Sequence, residues 1–275
     1  NDDYRHYGPN DLLYLGHPND AAFAIRKETS MEIRTQGIVL SRKRVADNDL
    51  IIVIYTKTQG KVRLYVNGAR QIKSRFHMVT HPFVTGSFLY REKGELSTLS
   101  QAELDKSRIG LRENYDRLMV GTYMLELIEV SVELGDAVSK LFDLLDYALD
   151  ALLTAQDLEL LRAVFTLKVI QRLGFEPQIS SCASCGTEEG LVALFSTVTG
   201  GVVCRECAPQ IPDVKRVSVE ALKWINVGLK SPYATIQALG ASDTMMASVN
   251  KLLDAYVVAH VARRRLKSLD LLTHP

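Results

Sequence analysis

No stretch of this chain approaches the roughly 20 consecutive apolar residues that a membrane-spanning helix needs, which excludes a helical membrane span. The patterns G-x-x-x-x-G-K-[ST] and G-x-G-x-x-G are both missing, so neither familiar cradle for a nucleotide pyrophosphate is present. Net charge is nearly absent, at +1 over 275 residues, and taken whole it points to no class of partner. The first thirty residues lack a basic start, a long apolar stretch and a small-residue cleavage site. They do not read as a secretory signal, and the cytoplasm is the default expectation. Cysteine is missing everywhere except between residues 182 and 207, where all four occur.

What is present is an ordinary globular composition, 47% hydrophobic and 24% charged, on a chain long enough for about two domains. Residues 1–30 carry turn-like Gly and Pro and stop just before Met31, where a strand pattern begins. They are set aside as an extension, an upstream read-through or a cloning remnant.

The near-zero net charge hides an asymmetry. Between Arg34 and Arg75 ten basic residues stand against Asp47 and Asp49 alone, a local excess of eight positive charges, while residues 113–159 are acidic on balance. Such a division suggests a polyanion-binding module joined to something else.

From Thr35 to about Leu104 the apolar pattern has the short period of strands. TQGIVLS, LIIVIYT, KVRLYVNG, PFVTGSFLYRE and ELSTLSQAEL are five β-rich runs separated by turn-like DND, KTQGK and KG. Five short strands over residues 31–110 fit a small barrel, with the OB-fold and an SH3-like barrel as the alternatives.

After Leu111 the period becomes helical. ENYDRLMVGTYMLELIEVSVE places Tyr115, Leu118, Met119, Met124, Leu125 and Ile128 largely on one side, and AVSKLFDLLDYALDALLT repeats the habit. Asp157 is a reasonable N-cap for a third helix that Gly174 and Pro177 end. SVEALKWINVGLK and SDTMMASVNKLLDAYVVAHVARRRLKSL read as two more helices, each opened by a serine cap. The expected class is α+β and multidomain: a five-stranded N-terminal barrel (31–110), then a helical domain (111–180 and 210–275) carrying a cysteine-rich insertion (181–209).

The insertion holds Cys182 and Cys185, then eighteen residues, then Cys204 and Cys207. Each two-residue gap lets a tight turn aim both sulfurs at one metal about 2.3 Å away, and two such pairs complete a tetrahedron. LVALFSTVTGGVV between them reads as a hairpin that brings the knuckles together, giving a zinc-ribbon-like element. A redox centre needs only one such pair beside a βαβ pattern, and disulfides are unusual in the cytosol. One structural Zn2+ is therefore expected. Four thiolates leave no position for an activated water, so the metal is not catalytic.

No catalytic constellation emerges. His77 and His81 in HMVTH have the spacing of a zinc-protease motif but lack its glutamate, and Pro82 follows directly. Basic residues instead crowd the barrel turns SRKR, KTQGKVR and NGARQIKSRF, where each can neutralise a backbone phosphate. Tyr55, Tyr65, Phe76 and Phe83 lie among them, either as stacking platforms for bases or as barrel core.

The order GIVLSRKRVADNDLIIVIYTKTQGKVRLYVNGARQIKSRF, a helical region, then LKVIQRLGFEPQISSCASCG and GGVVCRECA resembles the RecO family of bacterial recombination and repair mediators. The resemblance runs collinearly from Met31 to Leu272, with VNGARQIKSRF, LGFEPQISSCASCG and RRRLKSLDLL as its most specific pieces. It implies an N-terminal OB-fold, a helical domain and a cysteine zinc knuckle. It also implies binding of single- and double-stranded DNA, ATP-free annealing, and action with RecR and the single-stranded DNA-binding protein to help RecA load, in the bacterial cytoplasm at the nucleoid. Carried over as basic positions in the matching motifs, the DNA contacts fall on Arg42, Lys43, Arg44, Lys61, Arg63, Arg70, Lys73 and Arg75. Arg263, Arg264, Arg265 and Lys267 either extend that surface or serve a helix C-terminus. The competing readings are a zinc-stapled protein-interaction scaffold without annealing activity and a zinc-dependent nucleic-acid enzyme.

Overall fold

The computed structural model describes residues 31–138, 140–232, 235–236, 241–262 and 264–273. The extension at residues 1–30 and Arg263 lie outside the described residues.

Five strands, β1 (Glu32–Arg44), β2 (Leu50–Thr56), β3 (Gly60–Val66), β4 (Thr85–Arg91) and β5 (Ser97–Lys106), close a barrel of order β1-β2-β3-β5-β4. The long β1 turns the corner, pairing antiparallel with β2 through Gly37–Arg44 and with β4 through Glu32–Ile38. A short parallel pairing of Leu64 and Tyr65 with Ser97 and Thr98 seals the far side. This is the OB-type barrel expected from the strand-like runs.

The run LIIVIYT is apolar without alternation because both faces of β2 are covered. Ile52 and Ile54 point into the barrel core with Val39, Leu64 and Phe88. Val53 and Tyr55 face outward and join Ile38, Leu40 and Phe83 in the core of the helical domain. The outer wall of the barrel is thus one wall of the bundle.

Among the described residues the helical domain carries α1 (Tyr115–Ser131), α2 (Leu141–Leu152), α3 (Leu158–Arg172), α4 (Val219–Lys230), α5 (Asp243–Tyr256) and a short α6 (Ser268–Thr273). The expected caps form: Asp157 accepts from Leu160 N at 2.8 Å, Ser218 from Ala221 N at 3.2 Å and Ser242 from Met245 N at 3.3 Å. Helix α1 packs against the barrel, α2, α3 and α6, which is why its sequence has little polar stripe. Tyr115, expected in that stripe, is exposed.

Between α3 and α5 the seam is polar. The buried Arg162 donates to Asp254 at 2.9 and 3.1 Å, and Asn250 donates to Glu159. Arg162 also lies 5.3 Å from the centre of the Tyr123 ring.

The last expected helix is not continuous. Helix α5 loosens into one π turn at Val257–Val261, and a separate short helix, α6, follows. The start of α6 is held by α1: the Glu126 carboxylate accepts from Lys267 N at 3.1 Å and Ser268 N at 2.7 Å, supplying from another helix the cap that α6 lacks in its own sequence.

The cysteine segment forms β6 (Leu191–Ser196) and β7 (Gly201–Cys204), the expected hairpin. A third strand, β8 (Lys215–Arg216), adds to its edge and was not anticipated. Gly201 is obligatory here: a Cβ would stand 2.3 Å from the Gln178 carbonyl oxygen, where the chain leaving α3 passes under the hairpin. Phe195 of β6 meets Tyr256 of α5 edge to face at 6.1 Å, so the insertion is fixed to the bundle from behind. Among the described residues no helix is long and apolar enough to cross a membrane.

Candidate nucleic-acid interface and metal centre

The barrel mouth is built by one irregularity in β1. Val39 pairs with Ile54 and Ser41 with Val53, leaving Leu40 as an extra residue. A bulge of this kind reverses which side chains face inward beyond it. Strict alternation from Val39 places Ser41 and Lys43 inside. Instead Arg42 pairs with Ile52 and Arg44 with Leu50, both partners being barrel-core residues. Because directly paired residues share a face, the two guanidinium groups stand on the interior side at the open end.

Arg70 reaches the same mouth from the loop after β3. Its amide donates to Asn48 O at 3.0 Å and its guanidinium to Asp47 O at 2.5 Å. Asp49 ties the loop down by accepting from Gly68 N at 2.8 Å and from the Tyr65 hydroxyl. Of the two acidic residues in the basic segment, one is therefore structural. The other, Asp47, is 97% exposed and 3.4 Å from Arg44, a pairing of little strength. Arg42, Arg44, Arg70, His77 and His81 line a recess of about 400 Å3.

The other expected contacts do not line this recess. Lys43 lies on the outer side of the β1 tip, Arg63 is exposed on the outer face of β3, and Lys73 is exposed on the loop. Arg75 is held by Ser100 O at 2.9 Å and stacks on Phe76 at 4.8 Å. Lys61 stands apart. Its ammonium donates to Glu129 O at 2.6 Å and to Val132 O, capping the C-terminal end of α1, where a cation is favoured by the helix dipole.

The aromatics are not platforms. Tyr55, Phe76 and Phe83 are buried, and Tyr65 is half-buried against Asp49. The C-terminal cations are largely answered by acids: Arg264 pairs with Glu126 and Glu129, and Arg265 with Asp270 at 2.8 Å.

Two arginines absent from the motif reading complete the region. They bracket a short 3-10 turn, Ile109–Arg112, and grip successive carbonyls of the mouth loop. Arg112 donates to Pro82 O at 2.9 Å and Arg108 to Phe83 O at 2.9 Å, holding Phe83 at φ 74, a region L-residues rarely occupy. Arg108, almost fully buried, also donates to Thr85 Oγ1, Asp146 and Asp150, while Lys106 adds bonds to both carboxylates. Burial alone raises the Asp146 and Asp150 carboxyls, but the hydrogen bonds from Lys106 and Arg108 outweigh it and hold both below the usual range. No contiguous motif announces this clamp, because its members come from β4 and the loop before it, the end of β5, the 3-10 turn and α2.

The four cysteine sulfurs lie within 4.8 Å of one another. Cys185 and Cys204 Sγ are 3.9 Å apart. That is close to the edge of about 3.8 Å that a tetrahedron with 2.3 Å Zn–S bonds requires, and far from a disulfide. Cys204 N donates to Cys182 Sγ at 3.3 Å. Burial raises the Cys182 thiol, and backbone N–H donors from Cys185, Cys204 and Ser184 overcome it, bringing it down to about 6. The donor set fits a metal ion bound as thiolates, closed on all four sides.

Comparison with known proteins agrees with this layout. The family model described as "Recombination protein O N terminal" matches residues 31–108, and "Recombination protein O C terminal" matches residues 112–270. The DNA repair protein RecO of Alkaliphilus metalliredigens is 31% identical over 242 residues, spanning 88% of this chain and 98% of that protein. Those of Thermoanaerobacter sp. and Symbiobacterium thermophilum are 30% and 31% identical, over 83% and 86% of this chain and 92% and 94% of theirs.

Proposed function

The chain belongs to the RecO family of DNA repair proteins, and from that membership we propose that it is a recombination mediator that binds single- and double-stranded DNA and anneals complementary strands without ATP. It acts with RecR and the single-stranded DNA-binding protein to help RecA load on coated single strands, in the cytoplasm at the nucleoid. It performs no covalent chemistry: cations hold two backbones, reduce their repulsion and leave base edges free to pair. The barrel (31–110) and the helical domain (111–180 and 210–275) divide these tasks, the first handling DNA and the second docking protein partners. A single Zn2+ on Cys182, Cys185, Cys204 and Cys207 holds the inserted hairpin in shape and supplies no reaction.

The observation that carries this reading is the convergence of Arg42, Arg44 and Arg70 at one recess without strong carboxylate partners. The proposed interface comprises these with Lys43, Arg63, Lys73 and Arg75, and Lys61 is assigned to the helix it caps. If all seven met phosphates of a single strand, affinity would fall roughly a thousandfold between about 50 and about 200 mM salt. The test is fluorescence anisotropy on labelled oligonucleotides across that range, paired with annealing of strands precoated with the single-stranded DNA-binding protein. Reversal of Arg70, Lys73 and Arg75 to Glu should abolish both activities in a folded protein. Undiminished binding by that variant would remove these three residues from the interface, and a wild type that neither binds nor anneals DNA would favour the scaffold reading.

A further inference from the structure

The His81 imidazole sits between two guanidinium groups. Its Nδ1 is 2.8 Å from Arg112 Nη1 and its Nε2 is 3.2 Å from Arg42 Nη1. A guanidinium only donates hydrogen bonds, and a neutral imidazole has one donor and one acceptor nitrogen. Whichever tautomer is present, one of these contacts sets N–H against N–H. Among the described residues no carboxylate lies within ion-pair distance of Arg42, Arg70 or Arg112. Arg112 and His81 are half-buried and Arg42 is exposed at the rim; unrelieved conflicts of this kind concentrate where a ligand completes the site.

We propose that Arg42, His81 and Arg112 form a seat for one phosphodiester of bound nucleic acid, and that the imidazole takes up a proton as the seat fills. The proposal rests on the DNA-binding reading above and adds Arg112, beyond the barrel, to the interface. Phosphate oxygens inserted between the three groups accept the N–H donors that a single imidazole acceptor cannot satisfy together. The seat is also well placed. Arg42 and His81 line both the recess at the barrel mouth and a second groove of about 580 Å3 running along α1 to the C-terminal segment.

The charges around His81 are known from every side. Arg42 comes from β1, Arg70 and His77 from the mouth loop, and Arg112 from the 3-10 turn; Glu126, Glu129, Arg264 and Lys267 line the adjoining groove, where Arg264 pairs with both carboxylates. Burial first, then Arg42, Arg112 and His77, depress the His81 imidazole to about 4, so it is neutral in the free protein near pH 7. A phosphate between the two arginines cancels much of that repulsion. If binding returned His81 to an ordinary value near 6.5, affinity would rise about tenfold between pH 7.5 and 5.5.

The experiment measures affinity for a labelled oligonucleotide at fixed salt across that pH range, using the full chain, its H81Q, H77Q, R112Q and R112K variants, and the Arg70/Lys73/Arg75 reversal. The expected results are a roughly tenfold rise for wild type and H77Q, a flat profile for H81Q, and weakened binding for R112Q that R112K largely restores. The pH profile of H81Q, a near-isosteric change, stands independently of whether R112Q folds. Equal slopes in wild type and H81Q overturn the proposal while leaving DNA binding by the barrel intact. Failure of wild type to bind any DNA overturns both readings. If R112Q bound DNA normally but lost an acidic peptide, the seat would be one for protein carboxylates, and the proposal would fail.

Discussion

Replacing Arg108 by Met tests whether the barrel is clamped to the bundle by one side chain. The guanidinium is 1% exposed and donates to Phe83 O, Thr85 Oγ1, Asp146 and Asp150, so its loss strands a backbone carbonyl and two carboxylates together. Breaking a buried ion pair from one side costs about 3–5 kcal/mol. The lower end applies here, because Asp146 and Asp150 are 21% and 42% exposed and Lys106 still reaches both. We expect urea unfolding at pH 7 to show a loss of about 3 kcal/mol, with strong non-additivity between Arg108→Met and Asp146→Asn.

Acid provides an independent check. Both carboxyls are held below their unfolded value, so the unfolded chain binds more protons as pH falls. Their stabilisation is present above about pH 4 and is lost as pH drops through the folded value. The Arg108→Met variant should lose less stability over that interval than the wild type. A measured cost below about 1 kcal/mol, with an unchanged acid profile, would refute the clamp.

Three further outcomes are expected. Lys61→Ala should cost about 1 kcal/mol through the uncapped end of α1 and change DNA affinity by less than about twofold, as read by thermal melts and anisotropy; a large loss of binding would return Lys61 to the interface. Cys204→Ala should abolish stoichiometric zinc in elemental analysis and lower the melting temperature, whereas full metal content with an unchanged melt would show that the four sulfurs are not ligands. Gly201→Ala pushes a methyl group into the Gln178 carbonyl. It should increase proteolysis of residues 178–204 even in metal-loaded protein, and unaltered digestion would mean that the two segments part freely.

The sequence was most legible where structure is local. The five strand-like runs became β1 to β5, and the caps at Asp157, Ser218 and Ser242 formed as read, because alternation and capping depend on neighbours along the chain. The cysteine spacing foretold the cluster for the same reason. Legibility failed where two distant segments decide the outcome. Nothing near Lys267 indicates that Glu126 will cap α6. Lys61 reads like its basic neighbours until α1 offers its last carbonyls. His81 was noted only as half of an incomplete protease motif, and Arg112, 31 residues away, carried no signal at all. Even within β1, the inward turn of Arg42 and Arg44 depends on a one-residue bulge that no residue type announces.

Ile38, Leu40, Tyr55 and Phe83 sit on the barrel but belong to the bundle's core. An excised barrel would turn these four side chains to water as one adhesive face, and an excised bundle would lose a wall. This barrel is therefore not a cartridge that recombination could move intact onto an unrelated scaffold. Heat should melt barrel and bundle in one cooperative step, and lineages that lose either half should lose the other with it.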